Sequence, residues 1–331
     1  MKAAVWFRQL ALLASLLALC VVVLGAYVRL SDAGLGCPDW PGCYGSMSVP
    51  QSEAAIAQAQ MAYPGKPLET HKAWKEMLHR YLAGALGLLI VVLCVLGWKA
   101  RGRIRVSPWL PTILLLLVTL QAMLGMWTVT LLLKPAVVTA HLLGGMATLS
   151  LLIWVTHRHW GVASARFLQD SSLRLWVRGA VLIVLLQILL GGWTSSNYAA
   201  LACTDFPTCH GAWVPPMDFA NAYHLIRELG QGADGSPLQL PALTAIQWTH
   251  RLGALIVFIY IAWLGLVMRK DQQLHTLAGV MLLLLVVQVA VGIANLVLHL
   301  PLALAVAHNL GAALLLITIV ILNSKITELP K

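Results

Sequence analysis

Eight runs of about 20 apolar residues, each long enough to cross the hydrocarbon core of a bilayer, divide this sequence at roughly 9–30, 77–98, 109–131, 137–157, 175–196, 244–268, 275–298 and 302–323. In lipid every backbone N–H and C=O has to find its partner inside the segment, so runs of this length can only be helices. The expected fold is therefore an all-α integral membrane protein of eight transmembrane helices. A chain of 331 residues that is 60% hydrophobic and 10% charged has no soluble core large enough to hide its apolar surface.

The formal net charge is +10, but the basic residues do not form the single patch that nucleic-acid binding needs. They sit in short clusters between apolar runs: Lys2 and Arg8; Lys99, Arg101, Arg103 and Arg105; Arg158, Arg166, Arg174 and Arg178; Arg269 and Lys270. Under the positive-inside rule these clusters share the cytoplasmic side of a bacterial inner membrane with both termini. The long loops, about 31–75 and 197–243, then lie outside. The first apolar run is too long for a secretory signal and no small-x-small cleavage site follows it, so it is expected to stay as a helix.

Six cysteines separate by location. Cys37 and Cys43 share the first outer loop, Cys203 and Cys209 the second, and an oxidising compartment makes two short-range disulfides the simplest reading. Metal binding stays open as the alternative, although neither loop carries a further His and Cys set at zinc spacing. Cys20 and Cys94 fall inside apolar runs and read as packing residues.

The sequence is written twice. Cys37 and Cys43 recur 166 residues later as Cys203 and Cys209; Gln121, Gly125 and His141 recur 167 later as Gln288, Gly292 and His308; His79 recurs 171 later as His250. Two four-helix halves in the same orientation, 1–160 and 161–331, would be related by an axis along the membrane normal. Each half carries two histidines at the outer ends of apolar runs, His79 with His141 and His250 with His308. Facing helices of a bundle hold cofactors by inward side chains, and two imidazoles on opposite faces of a porphyrin hold haem iron. Two haem-sized sites opening outward are expected.

Plainer readings stand beside this one. A histidine at a helix end also caps carbonyls, and arginines such as Arg80 and Arg251 either pair with haem propionates or snorkel to the interface. The glycines near the histidines, Gly84, Gly87, Gly144, Gly145, Gly253 and Gly311, admit a bulky ring or simply close helix packing. Of the other seven histidines, His157, His159 and His275 lie among inner basic residues; His71, His210, His224 and His299 lie in or beside outer segments. His299 is the competitor, because it ends the seventh run near His308. The halves differ at one chemical position: Glu76 precedes His79 by three residues where Gln247 precedes His250. A carboxylate beside a haem can titrate and an amide cannot, so the first half reads as reactive and the second as electron-carrying. The alternative for Glu76 is an acid that favours the helix dipole.

These stretches together resemble the haem A synthase family. They are Tyr27-Val28-Arg29-Leu30-Ser31, Gly34-Leu35-Gly36-Cys37-Pro38-Asp39-Trp40-Pro41-Gly42-Cys43, Glu76-Met77-Leu78-His79-Arg80, Thr139-Ala140-His141, Cys203-Thr204-Asp205-Phe206-Pro207-Thr208-Cys209, Trp248-Thr249-His250-Arg251 and Ala307-His308-Asn309. The resemblance implies an oxidoreductase that takes a methyl group of haem O to a formyl group by successive hydroxylations, giving haem A for terminal oxidases. It further implies that His250 and His308 ligate a haem b, that His79 and His141 flank the substrate haem O, and that Glu76 takes part in catalysis. Haem O synthase, oxidase assembly factors, an unidentified membrane electron donor and a second copy of the chain are the partners it brings to mind. The residues alone also fit a diheme electron-transfer protein of the cytochrome b kind, or a partner that only delivers haem.

Overall fold

A computed structural model describes residues 2–104, 106–160 and 171–327. Its helices, in chain order, are α1 (Lys2–Leu30), α2 (Glu53–Ala62), α3 (Thr70–Lys99), α4 (Trp109–Thr130), α5 (Pro135–Trp160), α6 (Ser171–Ser196), α7 (Phe219–Ala222), α8 (Leu240–Met268), α9 (His275–Val297) and α10 (Leu302–Thr327). Among the described residues eight of these are long and apolar enough to cross a membrane, and they coincide with the eight expected runs. The protein is a multi-pass membrane protein.

Several helices reach further than their apolar runs, and two of these extensions bear on the site. α3 begins at Thr70, where water at the membrane edge solvates Thr70, His71, Lys72 and Lys75 while the backbone ladder continues, and α8 begins at Leu240, whose extension packs Ala242 into a buried cluster. Glu76 and His79 therefore lie inside α3, at the edge of its apolar run. The two long loops also hold short helices that hydropathy does not reveal. α2 is capped by Ser52, whose hydroxyl accepts the Ala55 N–H at 3.2 Å, and α7 by Asp218, which accepts the Asn221 N–H at 3.1 Å.

The long helices close into two rings of four. In the first, α1 packs on α3 and α5, and α4 on the same two; in the second, α6 packs on α8 and α10, and α9 on the same two. The rings meet along a seam where α5 touches α6 and α10, and α1 touches α10. The boundary drawn between halves at 160 adjoins residues 161–170, and it and Arg166 lie outside the described residues; so does Arg105.

A single buried cluster fills both rings on the side away from the long loops, from Phe7 and Leu93 to Ile261 and Ile319. It ends at Leu86 and Met146 in the first ring and at Val257 and Ala313 in the second, pairs that obey the 171- and 167-residue offsets. All four candidate histidines lie beyond that limit, toward the loops. Large apolar side chains on the outside, such as Leu88, Leu116, Ile259 and Leu283, are exposed, as a surface solvated by lipid requires.

The duplication extends to loop geometry. Each long loop closes a disulfide, Cys37 with Cys43 and Cys203 with Cys209, and each contains one cis proline, Pro41 and Pro207. The corners leading into α5 and α10 use two left-handed residues each, Leu132 with Leu133 and His299 with Leu300.

Along the seam a Cβ on Gly192 would lie 2.9 Å from Leu142 Cδ2 and 3.3 Å from Thr139 Cγ2. Gly192→Val is expected to force α5 and α6 apart and cost about 1–3 kcal/mol, as overpacking does. The thermal midpoint of the purified protein in detergent checks this, with Gly279→Ala as a control that should not fall, because nothing lies within 4 Å of that position and Ala favours the helix.

Candidate functional site

Each candidate histidine lies against a glycine of the helix that precedes it in the ring. An added Cβ would come 2.9 Å from the His79 ring at Gly25 of α1, 3.4 Å from His141 at Gly125 of α4, 3.2 Å from His250 at Gly191 of α6, and 3.0 Å from His308 at Gly292 of α9. Any larger residue would push the imidazole out of its place. All four histidines are half-buried, each seated against the glycine of a facing helix. The rings are thus not splayed into lipid.

The glycines beside the imidazoles are not those singled out from the sequence. Gly84 and Gly87 have open space around them, while Gly144, Gly253 and Gly311 face the side chains of Gln121, Gln187 and Gln288. The glycines that receive the imidazoles are Gly25, Gly125, Gly191 and Gly292. Their signal was present in the sequence as the same 166- and 167-residue offsets.

The donor set fits a porphyrin iron. His79, His141 and His308 each have a buried Nδ1 with no protein partner, and buried polar atoms without partners are uncommon unless something else satisfies them. The apolar core stops short of this level in both rings, and paired imidazoles are haem ligands by chemistry.

Glu76 is 5% exposed and held from two sides. Its Oε2 accepts the Cys37 N–H at 2.9 Å and its Oε1 accepts Arg80 Nη2 at 2.5 Å. Arg80 Nη1 donates to the carbonyls of Asp39 at 3.0 Å, Pro41 at 3.3 Å and Gly42. The loop lies directly on α3: a Cβ on Gly36 would stand 2.6 Å from the Lys72 carbonyl carbon. Carboxylate, guanidinium and disulfide loop form one unit.

In the second half Arg251 repeats the grip without the acid. Its Nη1 donates to the carbonyls of Asp205 at 3.0 Å and Thr208 at 2.9 Å, and its Nη2 to that of Cys203 at 2.9 Å. Gln247, 7% exposed, leaves its Oε1 without a partner. Of the two arginines considered as propionate partners from sequence, Arg251 turns both Nη groups to loop carbonyls, and Arg80 turns Nη1 to loop carbonyls and Nη2 to Glu76.

An aspartate organises each loop from within. Asp39 accepts the N–H of Tyr44 at 2.6 Å and of Gly45 at 2.8 Å; Asp205 accepts those of His210 at 2.7 Å and Gly211 at 3.0 Å. Neither aspartate stands out in the sequence except by its offset. The Asp205 carboxyl is held well below the ordinary carboxylate range, first by the Thr208 hydroxyl and then by the Gly211 and His210 N–H groups.

The remaining candidates fall elsewhere. His299 is an exposed corner residue in register with Leu132. Cys203 and Cys209 lie beside His210, but their sulfurs are bonded to each other and offer no thiolate. Cys20 is exposed on α1 and Cys94 is half-buried on α3.

Residues 8–320 match the sequence model of the COX15-CtaA family, described as cytochrome oxidase assembly protein. The chain belongs to this family. It is 44% identical to a protein of Shewanella oneidensis named heme A synthase, over 96% of this chain and 95% of that one. Proteins of the same name from a Caulobacter strain and from Bacillus licheniformis are 29% and 25% identical, covering 92% and 91% of this chain and 91% and 89% of theirs. The matched span takes in all four imidazoles, both disulfide loops and Glu76.

The second loop generates a test. A carboxyl whose folded pKa is depressed stabilises the fold above the ordinary carboxylate range, and that contribution is lost as pH falls through the range and below it. Asp205→Asn is expected to speed reduction of Cys203–Cys209 by a phosphine several-fold at neutral pH, whereas the wild type should reach that rate only in acid. Alkylation and mass spectrometry read the rate; an unchanged rate in the variant would rule out the aspartate's role.

Proposed function

We propose that this chain is a haem A synthase that oxidises one ring methyl of haem O to a formyl group through successive hydroxylations, the final gem-diol losing water. The two halves, 1–160 and 161–331, divide the work. His79 and His141 flank haem O in the first ring. His250 and His308 would hold a haem b in the second, where that group supplies one-electron redox chemistry.

The observation that carries this reading is the placement of an acid in one ring alone. Glu76 lies one turn before His79 on the same helix face, buried and oriented by Arg80 and the Cys37 N–H. A carboxylate fixed in that way needs no reorganisation to stabilise positive charge developing at the methyl carbon. It also accepts protons for transfer toward the outer water. Gln247 keeps the shape in the second ring and cannot titrate, which suits a site that only relays electrons. The basic residues at the helix ends opposite the disulfide loops support a bacterial inner-membrane location with both termini cytoplasmic and the haem sites toward the outer face.

Glu76→Gln is expected to leave the haem held by His250 and His308 in place while formyl production falls about 100-fold or more, the scale of a lost acid or base. Haem extracted from membranes supplied with haem O and separated by mass gives the answer. Full formyl production in the variant would remove Glu76 from the chemistry, and unaltered haem O in the wild type would overturn the synthase reading itself.

A further inference from the structure

Three of the four helices that receive an imidazole carry a second feature that the fourth lacks. A glutamine stands four residues before the receiving glycine: Gln121 before Gly125, Gln187 before Gly191 and Gln288 before Gly292. Each reaches a second glycine three residues after the histidine, at Gly144, Gly253 and Gly311, where any Cβ would collide with the amide. On α1 the corresponding residue before Gly25 is Val21, and the residue three after His79 is Leu82. Where the amide is absent, the glycine that makes room for it is absent too. That reciprocity within one chain marks the glutamine and the second glycine as parts of one device.

The device acts on the main chain of the histidine. Gln187 Nε2 donates to the His250 carbonyl at 3.0 Å and touches the ring Nδ1 at 3.0 Å. Gln288 Nε2 donates to the His308 carbonyl at 3.0 Å and touches the ring Nε2 at 3.3 Å. A half-turn of an imidazole exchanges the nitrogen that faces the amide, so the carbonyl bond common to both is the fixed element. Around His79 the side-chain amide is missing, because Val21 offers the ring only a backbone group, while Gln121 reaches Gly144 beside His141 as the other two glutamines reach their glycines.

We propose that Gln187 and Gln288 are positioning residues that fix His250 and His308 as a permanent ligand pair, while Val21 leaves His79 as the ligand the first ring releases when haem enters and leaves. This rests on the haem reading above and adds an order of exchange to it. A resident cofactor wants both ligands locked. A porphyrin that arrives as substrate and departs as product wants one ligand that yields.

The experiment uses the full chain purified with its haem in detergent. Two properties are measured in Gln187→Met and Gln288→Met, which keep side-chain length and lose the N–H donor: the low-spin electron paramagnetic resonance signal, and the rate of haem loss to excess apomyoglobin. Both variants are expected to shift the signal and to speed loss of the slowly released haem by about 10–100-fold, the usual effect of removing a group that orients a metal ligand. An unaltered thermal midpoint separates this from general unfolding. The reciprocal double variant Val21→Gln with Leu82→Gly is expected to slow loss of the fast-released haem. Wild-type signal and rate in both methionine variants would overturn the positioning role, and no slowing in the double variant would overturn the assignment to His79. His250→Ala and His308→Ala retaining the low-spin signal would instead mean that the haem reading has failed.

Discussion

The contact between an imidazole and a glycine, made four times, is what the rest of the architecture depends on. Helices in a bundle pack with axes about 8–10 Å apart, and a histidine turned inward at that spacing collides with any Cβ opposite it. Gly25, Gly125, Gly191 and Gly292 remove the obstruction. The level of these contacts fixes where the apolar core must end, and it does end at equivalent residues in the two rings. The same level sets where the disulfide loops have to lie as covers.

Those covers are attached by charge. Arg80 and Arg251 each reach from a transmembrane helix to several loop carbonyls, while Asp39 and Asp205 gather amide hydrogens inside the loops. Glu76 enters this arrangement only in the first half, between Arg80 and the Cys37 N–H. The acid is consequently part of the loop's attachment as well as a candidate for chemistry. Movement of the first loop reaches Glu76 directly.

Much of this was legible in the sequence because membranes make hydropathy a strict code. The eight spans, the 166- to 171-residue offsets, the paired histidines, the loop cysteines and the exchange of Glu76 for Gln247 could all be read from residue identity and spacing. What could not be read depends on direction. A glycine near a histidine in sequence, such as Gly84, is on the same helix and cannot face it, whereas Gly25 is far away in sequence and lies against His79. The partners of Arg80 and Arg251 were hidden for the same reason, since a guanidinium reaches in three dimensions and the loop carbonyls have no signature. α2 and α7 escaped notice because short amphiphilic helices at an interface carry no long apolar run.

The grip of Arg251 on three carbonyls bears on how two copies of one design came to differ. Removing one member of a buried ion pair ordinarily strands its partner. At Arg251 the charge is met by the oxygens of Cys203, Asp205 and Thr208, so an amide at position 247 leaves no stranded cation behind. Main-chain dipoles gave that half the freedom to dispense with a carboxylate while keeping its architecture. In the other copy Arg80 also meets three loop carbonyls through Nη1, and only its Nη2 is committed to Glu76, so the acid there adds a charge partner to a guanidinium that the loop already holds.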